Sequence, residues 1–181
     1  MGLLDTPVIH RVRRNHAVEH ATIHVLAPRC PDIGLAGRAD TKGFYLYGRV
    51  GTDDVRAAVN AALERLIGEP ELAVHPRCGT NLVVSGLVAG LSSLVAVATM
   101  PSEQHRSTAL DVLPRLLLAG TAAAVASQAL GPMVQQRYTT SPQVDGVRVV
   151  DIEHHDRGAL VYHRVLLAGP APGHVAEALA V

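Results

Sequence analysis

The sequence is poor in aromatic residues, in cysteine and in net charge, and each shortage excludes a class of protein. The 16 basic residues balance 16 acidic ones, and they form no basic stripe of the kind that follows a phosphate backbone. We therefore expect no nucleic-acid partner. Two cysteines, Cys30 and Cys78, are too few for the disulfide framework of a small secreted domain. Aromatic residues amount to only 3%, without tryptophan, so the apolar mass is alanine, valine and leucine.

The common motifs of nucleotide and acyl chemistry are missing as well. The sequence contains no glycine-rich phosphate loop, no Gly-x-Ser-x-Gly elbow and no dinucleotide fingerprint. The chemistry of this chain has to be sought in other residue types.

Two long uncharged stretches are the most prominent feature that is present. Residues 81–100 contain no charged residue, and a helix of that length rises about 30 Å, which matches the hydrocarbon core of a bilayer. Residues 116–134 are also uncharged, and the short connection 101–115 is polar. A helix in a soluble core normally carries a polar stripe, and neither stretch has one. The sequence therefore predicts a transmembrane helical hairpin in contact with membrane lipid.

The hairpin has a candidate packing motif and a predicted orientation. Gly86 and Gly90, faced by Gly120 and Ala124 on the second span, predict a close approach of the two helices. Basic residues outside the spans exceed those of the connection, which predicts two passes through the inner (plasma) membrane with both termini cytoplasmic. A homo-oligomer or a membrane-protein partner is the expected association.

The remaining chain predicts a small mixed domain. We expect a helix over residues 7–26, a strand over 43–50, and an amphipathic helix capped by Thr52 or Asp53 and running to Ile67. Strands over 147–152 and 160–167 are expected to flank a turn at 154–158 and to join the early strand in one sheet. The fold class is α+β, a small cytoplasmic helix/strand domain with an inserted two-helix transmembrane hairpin. It comprises an N-terminal cytoplasmic α/β part with the candidate metal site (residues 1–80), the transmembrane hairpin (81–135), a C-terminal β-hairpin (136–168) and a flexible tail (169–181).

A possible metal-binding motif lies on the first helix, at His16, Glu19 and His20. Residues three and four apart share a helix face, so the three side chains converge there. Two imidazoles four residues apart can hold one metal ion, and a carboxylate between them can act as a general base. His24 extends the same face by one turn. The plainer interpretation is an amphipathic helix whose polar side chains face water.

A second group of ligand-type residues stands directly before the first span. His75 and Cys78 are three residues apart, and Pro76 and Gly79 favour a tight turn around them. Cys78 is also at the start of a helix, where the helix dipole favours a thiolate. The alternative is a capping turn in which Thr80 or Asn81 caps the helix and Cys78 is a small buried residue.

Together the two motifs predict a metal site with one set of ligands: His16, His20, His75 and Cys78. Zinc is the expected ion, and iron also suits these ligands. Three protein ligands and a water molecule would form a catalytic site, whereas four protein ligands would form a closed one.

The pairing of His-x-x-Glu-His with His-Pro-Arg-Cys-Gly-Thr before a span resembles a group of uncharacterised bacterial membrane proteins. Some relatives of that group are described as metal-dependent enzymes. A sister family of two-span proteins is more similar, sharing the run 19–24 and the ending 79–81. The resemblance covers about residues 10–135 and implies site positions at His16, Glu19, His20, His75 and Cys78. The larger relatives have glycine and lysine where this chain has Ala17 and Ala21, and they have more spans.

Three functions remain open at this point. The first is a binding or assembly protein with a closed metal site, in which Glu19 orients an imidazole. The second is a zinc-dependent membrane hydrolase in which Glu19 activates bound water. The third is a cluster held by hydrogen bonds without metal. The weaker metal candidates are His154 and His155 in the expected turn, His105, His174 and Cys30.

Overall fold

The structure is a computed structural model that describes residue 4, residues 6–99 and residues 109–170. The chain divides into two compact units, the first within residues 1–75 and 136–181 and the second formed by residues 76–135. His105, most of the connection between the two apolar stretches, and residues 171–181 of the expected tail with His174 lie outside the described residues.

Two helices of the first unit form where the sequence predicts them. Helix α1 spans Pro7–Leu26, and helix α2 spans Thr52–Gly68. Proline at the start of α1 is favourable because its fixed φ suits the first helical position. Helix α2 is capped by Gly51 without a side-chain hydrogen bond, so the expected cap at Thr52 or Asp53 was wrong. Asp53 instead lies in the first turn, where its negative charge interacts favourably with the helix dipole and stabilises the helix.

A four-stranded antiparallel sheet joins the two ends of the chain. Its strands are β1 (Ala36–Ala39), β2 (Gly43–Tyr47), β3 (Arg148–Arg157) and β4 (Leu160–Ala168), in the order β1-β2-β4-β3. Strand β4 pairs with β2, with Val165 opposite Phe44. The expectation that the late strands join the early one is therefore confirmed. Strand β1 was not predicted, because its residues, Ala-Gly-Arg-Ala, include none of the usual strand formers.

The hairpin between β3 and β4 is tighter than expected. His154 and His155 lie within β3, so their placement in a turn was wrong. The ladder continues to the pair of Arg157 with Leu160, which leaves only Gly158 and Ala159 as the turn. Gly158 has a φ of +70°, a conformation that two-residue hairpin turns require and that glycine adopts without strain.

The hydrophobic core of the first unit lies between the sheet and the two helices. Phe44, Leu46 and Val165 point inward from the sheet and are almost completely buried. Helix α1 covers them with Val18 and Leu26 among others. Helix α2 adds a stripe at helical spacing, Val55, Ala58, Val59, Ala62 and Leu66. The sequence pattern predicts these five residues as the apolar face, together with Leu63 and Ile67; Leu63 is partly buried against the core, whereas Ile67 is exposed, so its place on the buried face was wrong.

The second unit contains two apolar helices that pack against each other. Helix α3 spans Gly79–Ala98 and helix α4 spans Ala109–Val134. The segments Gly79–Ala98 and Val112–Thr139 are each long and apolar enough to cross a membrane. Helix α3 has no buried residue, so its apolar side chains remain available to another environment.

The close approach of these helices lies at a different place from the one expected. A Cβ atom added at Gly86, Gly90 or Gly120 would meet nothing within 4 Å, so the predicted glycine contact was wrong. A Cβ at Gly131 would instead overlap the side chain of Asn81, at the beginning of α3. The buried small residues of α4 recur every four positions, at Ala123, Ser127 and Gly131. These three small residues of α4 therefore form the stripe that permits close packing of the two helices.

This packing yields a pair of matched substitutions. We expect Gly131→Leu to destabilise the helix pair by about 1–3 kcal/mol, because overpacking a close contact forces the side chains and backbone apart. Gly86→Leu is the control, since its site has open space, and its unfolding temperature in detergent should stay within about 2 °C of the wild type. Equal effects of the two variants would contradict the contact at Gly131.

A buried histidine in the sheet has an environment that disfavours its protonated form. His163 is fully buried, and its Nε2 lies 3.0 Å from Nδ1 of His154 and 3.1 Å from Oγ1 of Thr52. Burial is the main cause that lowers the pKa of His163, and the nearby charges of His154 and His155 lower it further. The folded protein therefore favours the neutral imidazole.

From this we expect a loss of stability in mild acid. Between the ordinary histidine pKa of about 6.5 and the lower folded value, the unfolded chain binds more protons, so the free energy of unfolding falls as the pH falls. Thermal unfolding of the wild type followed from pH 7.5 to 5 should show this decline. In His163→Gln the slope should be smaller; an unchanged slope would show that other groups cause the acid sensitivity.

Candidate metal centre

Two of the expected ligands lie side by side on α1. His16 and His20 are four residues apart, so their side chains project from the same helix face. Their ring centres are 4.3 Å apart. His20 is buried and His16 is half-buried. The sequence spacing therefore brings these two imidazoles together as predicted.

Backbone carbonyls from two distant segments fix the orientation of both rings. His16 Nδ1 lies 3.0 Å from the carbonyl oxygen of Thr139, and His20 Nδ1 lies 2.7 Å from that of Ala73. A carbonyl oxygen only accepts, so each Nδ1 carries the hydrogen and donates it. In the neutral ring the lone pair is then on Nε2. Histidines that bind metals characteristically donate their other N–H in this way.

A third imidazole comes from His75, which follows a short 3₁₀ turn at Pro70–Ala73. This turn packs against α1. The ring centre of His75 lies 5.7 Å from that of His20 and 4.9 Å from that of His24. The first unit therefore gathers three of the predicted ligands, His16, His20 and His75, and adds one histidine.

The added histidine, His24, was noted in the sequence only as an extension of the helix face. Its Nε2 donates to the carbonyl oxygen of Val74 over 2.9 Å. His20 and His24 thus donate to the adjacent carbonyls of Ala73 and Val74. The repeat of histidine every four residues was the signal for His24. No sequence pattern indicates which carbonyls will orient these rings.

Glu19 is buried and occupies the space between α1 and the sheet. A Cβ atom added at Gly37 in β1 would overlap the carboxylate oxygen Oε1 and the Cδ and Cγ atoms of Glu19. Only glycine leaves room for this side chain to lie on the strand backbone. The structure therefore places Glu19 against β1, on the flank of the helix face that carries the imidazoles.

Cys78 belongs to the second unit and is the N-cap of α3. Its sulfur accepts a hydrogen bond from the backbone N–H of Thr80 at 3.4 Å. The cap is therefore Cys78, which confirms its expected place at the start of a helix, and the alternative in which Thr80 or Asn81 is the cap was wrong. The Asn81 side chain donates to the carbonyl oxygen of Pro76 and accepts from Gln135. The role of Cys78 as a ligand stays a prediction.

The weaker candidates have other surroundings. Cys30 is half-buried and packs against the hydrophobic core of the first unit. His154 contacts His163 across the sheet, and His155 contacts Glu153 at 3.2 Å and stacks on Tyr162. Each of these three candidates therefore contacts a different part of the first unit, the hydrophobic core for Cys30 and the sheet for His154 and His155.

Comparison with known proteins assigns the chain to a family. Residues 11–152 match the model of a domain of unknown function (DUF6391), so the chain belongs to this family. An uncharacterized protein of Picosynechococcus sp. (strain PCC 7002) is 40% identical over 144 residues, which cover 72% of this chain and 66% of that protein. The chain thus spans about two thirds of the relative's length. No solved structure matches it.

The contact between Glu19 and Gly37 can be tested by a double-mutant cycle. Gly37→Ala alone should destabilise the first unit by about 1–3 kcal/mol, because the new methyl group overlaps a buried side chain. In the Glu19→Ala background the same change should cost clearly less, since the overlapping atoms are gone. Chemical denaturation of the four proteins measures the coupling; additive effects would contradict the contact.

Proposed function

We propose that the protein is a membrane-bound metal-binding protein whose His16, His20 and His75 bind Zn²⁺, with Fe²⁺ as the second candidate. The observation that carries the proposal is the pair of hydrogen bonds from Nδ1 of His16 and His20 to the carbonyls of Thr139 and Ala73. These bonds select the tautomer whose Nε2 lone pair can bind a metal.

The ring separations suit a shared ion. A zinc–nitrogen bond is about 2 Å long and the ring centre lies about 1 Å further, so two imidazoles on one tetrahedral ion have centres about 5 Å apart. The separations of 4.3 Å for His16 and His20 and 5.7 Å for His20 and His75 bracket this value.

Cys78 is the fourth ligand of the proposal. It follows His75 by three residues, and the covalent chain alone keeps their Cα atoms within about 11 Å. Its place as the N-cap of α3 favours a thiolate, which zinc prefers to a thiol. With this sulfur the site is closed by four protein ligands. The role of the closed site is to hold α1 together with the segments at 73–75 and 139.

A binding or assembly role is favoured over hydrolysis by the position of Glu19. A general base has to reach the water on the metal, whereas Glu19 lies against the backbone of Gly37 in β1. Its packing suits a structural role. A zinc-dependent hydrolase with Glu19 as general base is therefore the alternative that the following experiment also tests.

The membrane part of the proposal is supported by the surface of α3. Large apolar side chains are exposed along the helix, among them Leu82, Leu87, Leu91 and Leu94. A contiguous apolar surface of this kind is unfavourable in water and favourable in lipid. We propose that α3 and α4 form a two-pass hairpin in the plasma membrane. Arg77 and Arg137 flank it, which favours cytoplasmic termini.

Elemental analysis of the purified protein tests the metal. The wild type, extracted from membranes with detergent and without chelators, should contain zinc or iron in stoichiometric amount, and His20→Ala should lose most of it. Removing one ligand of such a site typically lowers its affinity by at least 10- to 100-fold, since even outer partners have effects of that size. Recovery of the protein in the soluble fraction would contradict the membrane part.

Glu19→Gln is the matched control, because it keeps the shape of a side chain that we place beside the site. We expect this variant to retain the metal of the wild type. Loss of metal in a folded Glu19→Gln would make the carboxylate a ligand. Absence of metal from the wild type, together with failure to take up Zn²⁺ after dialysis, would overturn the proposed function.

A further inference from the structure

Three of the four tyrosines of this chain lie on one face of the sheet. Tyr45 and Tyr47 belong to β2 and Tyr162 belongs to β4, the two central strands. Tyr47 is paired directly with Tyr162, and residues directly opposite each other point to the same face. The ring centre of Tyr162 lies 5.7 Å from that of Tyr47 and 5.9 Å from that of Tyr45. A chain with 3% aromatic residues thus collects most of them on one surface.

This tyrosine face is the side of the sheet that points away from the helices. The side chains that alternate with the tyrosines, among them Phe44 and Val165, point into the core shared with α1 and α2. The end of β4 also turns toward the helices, since the carbonyl oxygen of Pro170 accepts a hydrogen bond from Arg14 on α1. The three tyrosines are half-buried, so part of each remains open to a partner, and tyrosine is enriched in protein interfaces.

Neighbouring side chains hold the tyrosine face in a fixed shape. The guanidinium of Arg164 lies 4.2 Å from the ring centre of Tyr45, and its Nη2 donates to the carboxylate of Asp40 over 2.8 Å. The ring of His155 stacks on Tyr162 at 4.8 Å. Side chains that are already ordered lose little conformational freedom when they bind. The face is therefore prepared for contact with a rigid surface.

One row of residues across this face has opposite charges at its two ends. Arg38 on β1 is opposite Tyr45, Tyr45 is opposite Arg164 on β4, and Arg164 is opposite Glu153 on β3. Arg38 and Glu153 are both exposed. Three strand spacings place them about 14 Å apart, at the two edges of the sheet. Along this row the face therefore has a basic edge and an acidic edge.

We propose that the tyrosine face binds the same face of a second copy of the chain. Two sheets can stack face to face about 10 Å apart with their strands nearly aligned. A two-fold axis parallel to the strands reverses the strand order, so β1 of one copy lies over β3 of the other. Arg38 of each copy then faces Glu153 of the other copy, and Tyr47 faces Tyr162.

The charges select this arrangement among the two-fold contacts between stacked sheets. An axis in the interface that runs across the strands would place β1 over β1, and Arg38 would then face Arg38. Like charges in contact are unfavourable, whereas the first arrangement makes two pairs of opposite charge per dimer. The contact uses only residues of the sheet, so the inference is independent of the proposed metal.

The association of the full chain in detergent, followed by sedimentation equilibrium, tests the face. We expect a reversible dimer of the wild type. Tyr162→Ser should weaken it at least 10-fold, because truncation of a central interface tyrosine has effects of this size. Tyr138→Ser is the matched control, since it removes an exposed tyrosine outside the sheet, and it should leave the dimer unchanged. A monomeric wild type would overturn the inference, as would a dimer that a folded Tyr162→Ser leaves unchanged.

Charge reversal tests the two-fold arrangement itself. Arg38→Glu and Glu153→Arg should each weaken the dimer about 10-fold, because each places like charges face to face twice. The double variant Arg38→Glu/Glu153→Arg should regain the wild-type association, since the pairs form again with exchanged signs. Arg56→Glu, on the exposed side of α2, is the control and should have no effect. A double variant that associates no more tightly than the single variants would contradict the arrangement, provided that all have wild-type circular dichroism.

Discussion

The hydrogen bonds from the α1 imidazoles to backbone carbonyls are the interaction on which the candidate site depends. His20 is almost completely buried, and a buried imidazole is stable only when its N–H has an acceptor. The acceptors belong to Ala73 and Thr139, which precede and follow the second unit in the chain. The pairing therefore fixes the tautomers of the rings and holds together segments that are distant in sequence.

Contacts between segments that are distant in sequence also explain how an apolar helix pair can be inserted into a small domain. Strand β4 comes from the C-terminal part of the chain and lies between β2 and β3. The inward side chains of β2 and β4, Phe44 and Val165, share one core with the helices. The sheet and core of the first unit are thus built from both ends of the chain, and the insertion interrupts the sequence without interrupting the hydrophobic core.

The sequence predicted the features that depend on periodicity and missed those that depend on contacts. The helical spacing of Val55, Val59 and Leu66 and the uncharged stretches identified helices correctly, because burial of a face leaves a direct pattern. Strand β1 was missed because its short side chains carry no pattern, and its Gly37 is explained only by the contact with Glu19. Similarly, helical spacing predicts which histidines lie side by side on a helix, but the backbone carbonyls that orient their rings lie 50 or more residues away in sequence.

The glycines of the apolar helices show why spacing alone does not locate a contact. Gly86 and Gly90 have the spacing of a close-packing motif, but a Cβ atom added at either would meet nothing within 4 Å, whereas a Cβ added at Gly131 would overlap the side chain of Asn81. The difference is chemical. Asn81 accepts a hydrogen bond from Gln135 over 2.6 Å, and buried polar groups need such partners more strongly where water is excluded. A polar pair thus determines where the helices meet, and the small residue at 131 follows from it.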